Sequence, residues 1–173
     1  VMEGSPCLCT VGRFSHAKGM DRAVRIAARL VEMGMKGLRW YLAGYGDEAS
    51  LRREIAAHGM EEHVVILGKK ANPYPYMAAC GLYVQPSRYE GKAVAVREAQ
   101  ILGRPVAITR FPTASGHLED GVDGVIVPND EEGAAQALFS LLHDPARLES
   151  LAAACRARDY GNRDEILKLE ALV

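Results

Sequence analysis

The sequence lacks three things that would place it quickly: a long apolar run, an excess of charge of one sign, and a cysteine framework. Its 173 residues carry 21 Lys and Arg against 22 Asp and Glu, a formal net charge of −1. No overall basic field therefore draws the chain to nucleic acid or to an anionic membrane surface. No apolar stretch approaches the ~20 residues that a membrane-spanning helix needs. The four cysteines, Cys7, Cys9, Cys80 and Cys155, contain no C-x-x-C pair, which excludes a disulfide scaffold or a zinc site of the usual spacing. Buried free thiols in a reducing cytoplasm are the expectation. The five histidines, His16, His58, His63, His117 and His143, show no paired metal-ligand spacing, so no metal is expected. The G-x-x-x-x-G-K-[ST] phosphate loop is also missing.

What is present fits one globular domain with a real core: 49% apolar and 25% charged residues over a length ample for a single domain. The opening Val1-Met2-Glu3-Gly4-Ser5-Pro6 runs almost at once into an apolar segment, as a chain does at a domain boundary. From there short apolar runs alternate with helical periods. Strands are expected at 7–11, 38–43, 64–67, 82–85, 105–109 and 125–127. Helices are expected from Met20, over 48–58, in a short turn after Asn72-Pro73-Tyr74-Pro75, over 93–102, over 131–142 and over 145–158. Gly103 closes one helix and Pro145 opens another. This alternation, with strands apolar on both faces, predicts an α/β fold: a Rossmann-like, doubly wound parallel sheet of about six strands. Ligands of such sheets bind beyond the carboxyl ends of the strands, so the loops that follow strands are the ones to inspect.

Three loops stand out. The first, Gly12-Arg13-Phe14-Ser15-His16-Ala17-Lys18-Gly19, holds two permanent cations just ahead of a helix. A helix N-terminus favours an anion, and Arg13 as a fork with Lys18 as a point charge suits a diphosphate; two solvated surface cations are the plain alternative. The second, Gly44-Tyr45-Gly46-Asp47-Glu48-Ala49, matches G-x-G-x-x-A, but Asp47 and Glu48 at the helix start would repel a pyrophosphate. A tight turn with an acidic helix start is the preferred reading. The third runs from Pro86 to Ala99. It places Glu90 at a strand exit, Gly91 before a helix, and Glu98 eight residues on, about two turns or roughly 12 Å of helix. Two such acceptors could hold hydroxyls at both ends of a nucleotide sugar, with N–H groups between them on the phosphates. An acidic helix start with Arg97 and Glu98 solvated accounts for the same residues equally well.

Taken in order, these segments resemble the retaining glycosyltransferases of two-Rossmann-domain (GT-B) architecture called family 4. The resemblance rests on Val11-Gly12-Arg13 with Lys18-Gly19, Gly44-x-Gly46, Val65-Ile66-Leu67-Gly68, Pro86-Ser87-Arg88-Tyr89-Glu90-Gly91, Glu98-Ala99, Gly103-Arg104-Pro105-Val106 and Gly121-x-x-Gly124-x-x-Val127. It covers the chain from Val11 to about Leu142. It implies that residues 1–173 are the C-terminal, donor-binding domain of a longer bacterial enzyme whose N-terminal acceptor domain lies outside this chain.

The resemblance also implies roles. Gly12, Arg13 and Lys18 would line the donor diphosphate, with Arg13 and Lys18 stabilising it as leaving group. Glu90 would bind hydroxyls of the donor sugar, and Arg13, Lys18 and Glu90 together would form the catalytic set. Gly91, Lys92 and Ala93 would offer backbone N–H groups, Glu98 would hold the ribose, and Leu67 and Gly68 would lie near the base. The implied donor is a nucleotide sugar, UDP-linked in preference to GDP-linked, and the implied activity is hexosyl transfer in capsule or other polysaccharide synthesis. No Asp-x-Asp metal motif occurs, so the transfer is expected to be metal-independent. The isolated domain is expected to bind donor weakly and not to transfer sugar. Cytoplasmic placement is implied, with membrane contact only through parts outside this chain, and the tail beyond Tyr160 would cross back to the first domain as a helix.

The sequence departs from the pattern at Gly81, where an aspartate is frequent, and at Ala93, where proline is commoner. Thr113-Ala114-Ser115-Gly116-His117 replaces a glycine-rich turn. Two rivals remain. A nicotinamide-dependent oxidoreductase domain would rest on Gly44-x-Gly46-x-x-Ala49. A non-catalytic nucleotide-sugar-binding module would use the same donor residues.

Overall fold

The computed structural model describes residues 6–161; the opening residues 1–5 and the helical period expected beyond Gly161 lie outside them. Within this range the chain forms one six-stranded sheet. Its elements in order are β1 (Cys7–Val11), α1 (Met20–Glu32), β2 (Arg39–Ala43), α2 (Glu48–Ala57), β3 (Val64–Gly68), α3 (Tyr74–Ala79), β4 (Leu82–Gln85), α4 (Val94–Ile101), β5 (Val106–Thr109), β6 (Val125–Val127), α5 (Glu131–Leu142) and α6 (Pro145–Ala157). The strands lie in the order β3-β2-β1-β4-β5-β6, every pair parallel. This is the doubly wound arrangement expected from the alternation of apolar runs. The order reverses between β1 and β4, which opens a crevice at their carboxyl ends.

The two-residue strand period divides the core. Leu8, Trp40, Leu42, Val84 and Ala107 point to one face and pack under α1, α2 and α5 with Val24, Ala27, Leu51 and Leu138. Cys9, Tyr83, Val106 and Ile108 point to the other, under α3 and α4 with Met77, Val96 and Ala99. Cys7 and Cys9 share that second face, as their spacing predicts. The cysteines are free, and burial pushes the thiols of Cys7 and Cys155 up. The polar atoms inside the sheet are matched: Trp40 Nε1 donates to Thr10 Oγ1 (2.9 Å), which donates to the Val84 carbonyl (2.5 Å).

The helix ends follow local chemistry. Asp47, Asp130 and Asp144 each accept a backbone N–H three residues on, capping α2, α5 and α6. Arg25 joins three elements by pairing with Asp21, Glu54 and Glu131 at 2.7–2.8 Å. Among the described residues no helix is long and apolar enough to cross a membrane.

Two differences from the sequence expectation bear on the site. Short 3-10 turns at His16–Lys18 and Ala114–Gly116 shape the loops after β1 and β5. The helix carrying Glu98 begins at Val94, so residues 90–93 are not helical. The two turns of helix expected between Glu90 and Glu98 therefore shrink to little more than one, about 6 Å along the axis from Val94.

Candidate functional site

The site grows from the crevice between β1 and β4. Gly19 ends the 3-10 turn and begins α1 with φ 66°. A Cβ there would lie 2.1 Å from the Pro86 carbonyl oxygen, so only glycine lets the start of α1 meet the loop after β4. The two loops are then stitched together. The N–H of Arg88 donates to the Ala17 carbonyl (2.8 Å). The Arg88 guanidinium donates to the His16 carbonyl (2.9 Å) and grips Asp21 through two bonds (2.8 and 2.7 Å). For Asp21 burial opposes ionisation, but the adjacent Arg88 and Arg25 prevail and hold its carboxyl below the usual range. Arg22, 3% exposed, bonds the Pro86 and Ser87 carbonyls and Asn129 from beneath. Burial, together with the charge of Arg88, pulls the Arg22 guanidinium below its ordinary value.

Across this junction Lys18 Nζ meets Glu90 Oε2 at 2.6 Å. The Glu90 side chain is only 3% exposed. Its other oxygen accepts from Ser87 Oγ (2.6 Å) and Gln85 Nε2 (3.2 Å). Gln85 is itself fixed by the hydroxyl of Tyr83 (2.6 Å), a phenol that burial pushes far up. Thr113 Oγ1, from the loop after β5, donates to the Glu90 carbonyl (2.6 Å). A chain of polar groups thus runs from the sheet interior to the Glu90 carboxylate at the crevice loops. Glu90 is a seated group shared with Lys18, not a free acceptor.

The remaining candidates divide by what their atoms already do. Arg13 is exposed and makes no ion pair among the described residues; it lies 5.6 Å from the ring centroid of Tyr45. The N–H of Gly12 is committed to the Ala43 carbonyl (3.0 Å), so Gly12 shapes the loop and has no N–H to offer a phosphate. Among the described residues the N–H groups of Gly91, Lys92 and Ala93 have no protein acceptor, and they lead into α4, whose N-cap Ala93 carries no capping side chain. Glu98 is half-buried and accepts from the Tyr74 hydroxyl at 2.9 Å. Leu67 sits near the end of β3, two strands from the crevice, and Gly68 follows it and accepts from Gly44 N (2.9 Å).

The Gly44-x-Gly46 turn follows β2, not the strand at the reversal point. A Cβ on Gly44 would lie 1.8 Å from the Gly12 carbonyl oxygen, and one on Gly46 would lie 2.4 Å from that of Phe14. These glycines let two loops touch each other, and Asp47 caps α2 through Ser50 N (2.9 Å). That is the tight turn expected, and it removes the observation on which a dinucleotide reading rested. Beside the crevice, over the ends of β5 and β6, lies an open hollow of about 740 Å³ bordered by Arg22, Arg88, Tyr89, Arg110 and Phe111. Sequence reasoning did not identify Arg22, Arg88, Thr113 or Tyr74 as site-building residues, because each acts through a contact remote in sequence. Among the described residues no cluster of His, Cys, Asp and Glu is arranged to hold a metal ion.

Comparison with known proteins shows the family and the fold. The family described as glycosyl transferases group 1 matches residues 5–144. The alpha-D-kanosaminyltransferase of Streptomyces kanamyceticus is 30% identical over 155 residues, 87% of this chain and 40% of that protein. The lipopolysaccharide core biosynthesis glycosyltransferase LpsE of Rhizobium meliloti (strain 1021) is 28% identical over 142 residues, 81% of this chain and 40% of that protein. A crystal structure of a TarM mutant from S. aureus, in complex with UDP among other ligands, superposes with a TM-score of 0.88 at 20% identity, covering 97% of this chain and 35% of that one. The chain thus spans about 40% of the length of the curated relatives it matches. The fold, its crevice and the ordered motifs meet in one assignment: the chain belongs to the glycosyl transferases group 1 family.

Proposed function

We propose that this domain binds the nucleotide-sugar donor of a two-domain glycosyltransferase, with UDP as the nucleotide and polysaccharide or glycoconjugate synthesis as the pathway class. The observation that carries the reading is that Arg13 and Lys18 lie on the loop after β1 and the unpartnered N–H groups of residues 91–93 on the loop after β4, the two loops joined by the Lys18–Glu90 pair. Two cations and a row of N–H donors suit the two phosphates of a nucleoside diphosphate. As the sugar–phosphate bond breaks, negative charge moves onto the diphosphate. Groups already in place for that charge stabilise the transition state more than the ground state. Arg13 and Lys18 supply this without a metal, and Glu90, held by Lys18, Ser87 and Gln85, meets a sugar hydroxyl at the crevice floor. The anomeric configuration is retained and the acceptor is held by a partner domain, as the family resemblance implies. The UDP-bound TarM neighbour supports uridine over guanosine. The domain works on the cytoplasmic side, where nucleotide sugars are found.

Isothermal titration with UDP tests the reading. A charge-assisted hydrogen bond contributes about 1.5–3 kcal/mol, so Arg13→Ala weakens UDP binding about 10- to 150-fold. Equal affinity in the variant and the original would remove Arg13 from the site.

A further inference from the structure

Glu98 differs from the other carboxylates of this region in its company. Asp21 and Glu90 are paired with cations at 2.6–2.8 Å. Among the described residues no Lys, Arg or His side-chain nitrogen pairs with the Glu98 carboxylate within 4.0 Å, and its bonded partner is the neutral hydroxyl of Tyr74 at 2.9 Å. Its neighbour Arg97 turns away, stacked on Tyr160 at 4.5 Å from the ring centroid.

Tyr74 belongs to neither core cluster, and 45% of it is exposed, so packing does not account for it. It is the first residue of α3 and stands between Pro73 and Pro75. Its N–H is held by Asn72 Oδ1 (3.1 Å). The two prolines fix φ on either side of Tyr74 and Asn72 holds its N–H, so the backbone here is constrained before any ligand arrives.

We propose that Tyr74 is a positioning residue for the ribose end of the donor, its phenol locking the Glu98 carboxylate so that the second oxygen stays open to the ribose hydroxyls. The inference rests on the donor-binding reading above. A carboxylate has about four acceptor positions and the phenol fills one. A neutral donor also leaves the negative charge intact, which strengthens a hydrogen bond from a sugar hydroxyl. A lysine in its place would neutralise that charge. The contact is consistent with the titration of the phenol, which hydrogen bonding to Glu98 pushes up.

The test compares UDP with 2′,3′-dideoxy-UDP by isothermal titration, on the original chain, on Tyr74→Phe, on Glu98→Gln and on the double variant. Tyr74→Phe keeps the ring and loses only the hydroxyl. It should weaken UDP binding about three- to tenfold and leave dideoxy-UDP binding unchanged, so that the preference for the full ribose shrinks. In the Glu98→Gln background the same change should have no further effect on that preference. Equal weakening of both ligands, or of neither, overturns the inference while the donor site stands. No UDP binding by the original chain defeats the donor reading and this inference with it.

Discussion

Severing the Lys18–Glu90 pair is the perturbation whose size follows most directly from the geometry. Lys18 is 31% exposed along its side chain and Glu90 3%. In Lys18→Ala the oxygen Oε2 of Glu90 loses its one partner among the described residues, while Oε1 keeps Ser87 Oγ and Gln85 Nε2. Breaking a fully buried pair costs about 3–5 kcal/mol. A hydrogen bond to a charged group is worth about 1.5–3 kcal/mol. The opening left by the lysine admits water to Oε2, and the second oxygen remains satisfied, so the lower range applies and about 2 kcal/mol is expected. For a domain of this size that corresponds to a fall of about 4–8 °C in the unfolding midpoint. The assay is urea unfolding of the original chain, Lys18→Ala, Glu90→Gln and the double variant, with the slope unchanged across the set. Each single variant should lose about 2 kcal/mol and the double variant little more than either, a coupling of about 1.5–2 kcal/mol. Additivity within about 0.5 kcal/mol would show that the two charges do not hold each other, and would refute the description of Glu90 as a seated group.

Three further outcomes follow from the contacts. Gly19→Ala should destabilise by more than about 1 kcal/mol in urea unfolding, because its Cβ meets the Pro86 carbonyl and its φ is positive; an unchanged midpoint would mean that the two loops are not in contact. Asp123, 1% exposed, accepts from Glu119 N (2.7 Å), Arg158 Nη1 (2.9 Å) and the Tyr160 hydroxyl (2.9 Å). Asp123→Ala should therefore cost about 3 kcal/mol or more and raise protease sensitivity near Arg158. His117 has its pKa lowered from 6.5 by burial, with Glu90 opposing and Arg97 assisting. The unfolded chain then binds this proton more readily than the folded one, so stability falls as pH drops below about 6.5. His117→Gln should flatten that part of the stability–pH curve, and an identical slope would contradict the shift.

Much of the sheet was legible because its signal is local. Buried parallel strands are short apolar runs, and Val64, Leu82 and Val125 each begin a strand where the run begins. Pro145 marked a helix start by its own fixed backbone angle, and the structure adds Asp130 and Asp144 as caps that act over three residues. The site was legible in kind and less so in geometry. Arg13, Lys18 and Glu90 lie on the two loops that flank the reversal point, as their positions after strands implied. Their mutual arrangement was not legible, since the Lys18–Glu90 contact joins residues 72 apart. Arg22 was hidden for the same reason: a charge on a helix reads as solvated, yet its head reaches carbonyls 64 and 65 positions away. Thr113 stood out only as a departure from a glycine-rich turn. Its hydroxyl in fact ties that turn to the Glu90 carbonyl.

The most direct test of the account is thermal unfolding of this chain in millimolar UDP, GDP or NAD. A ligand held only by the folded state adds about 1.4 kcal/mol of stability when present at tenfold its dissociation constant, a shift of a few degrees for this size. The account predicts a shift with UDP that exceeds the shift with GDP, is absent with NAD, and is lost in Arg13→Ala. A shift with NAD alone, or a UDP shift that survives Arg13→Ala and Lys18→Ala alike, would contradict it.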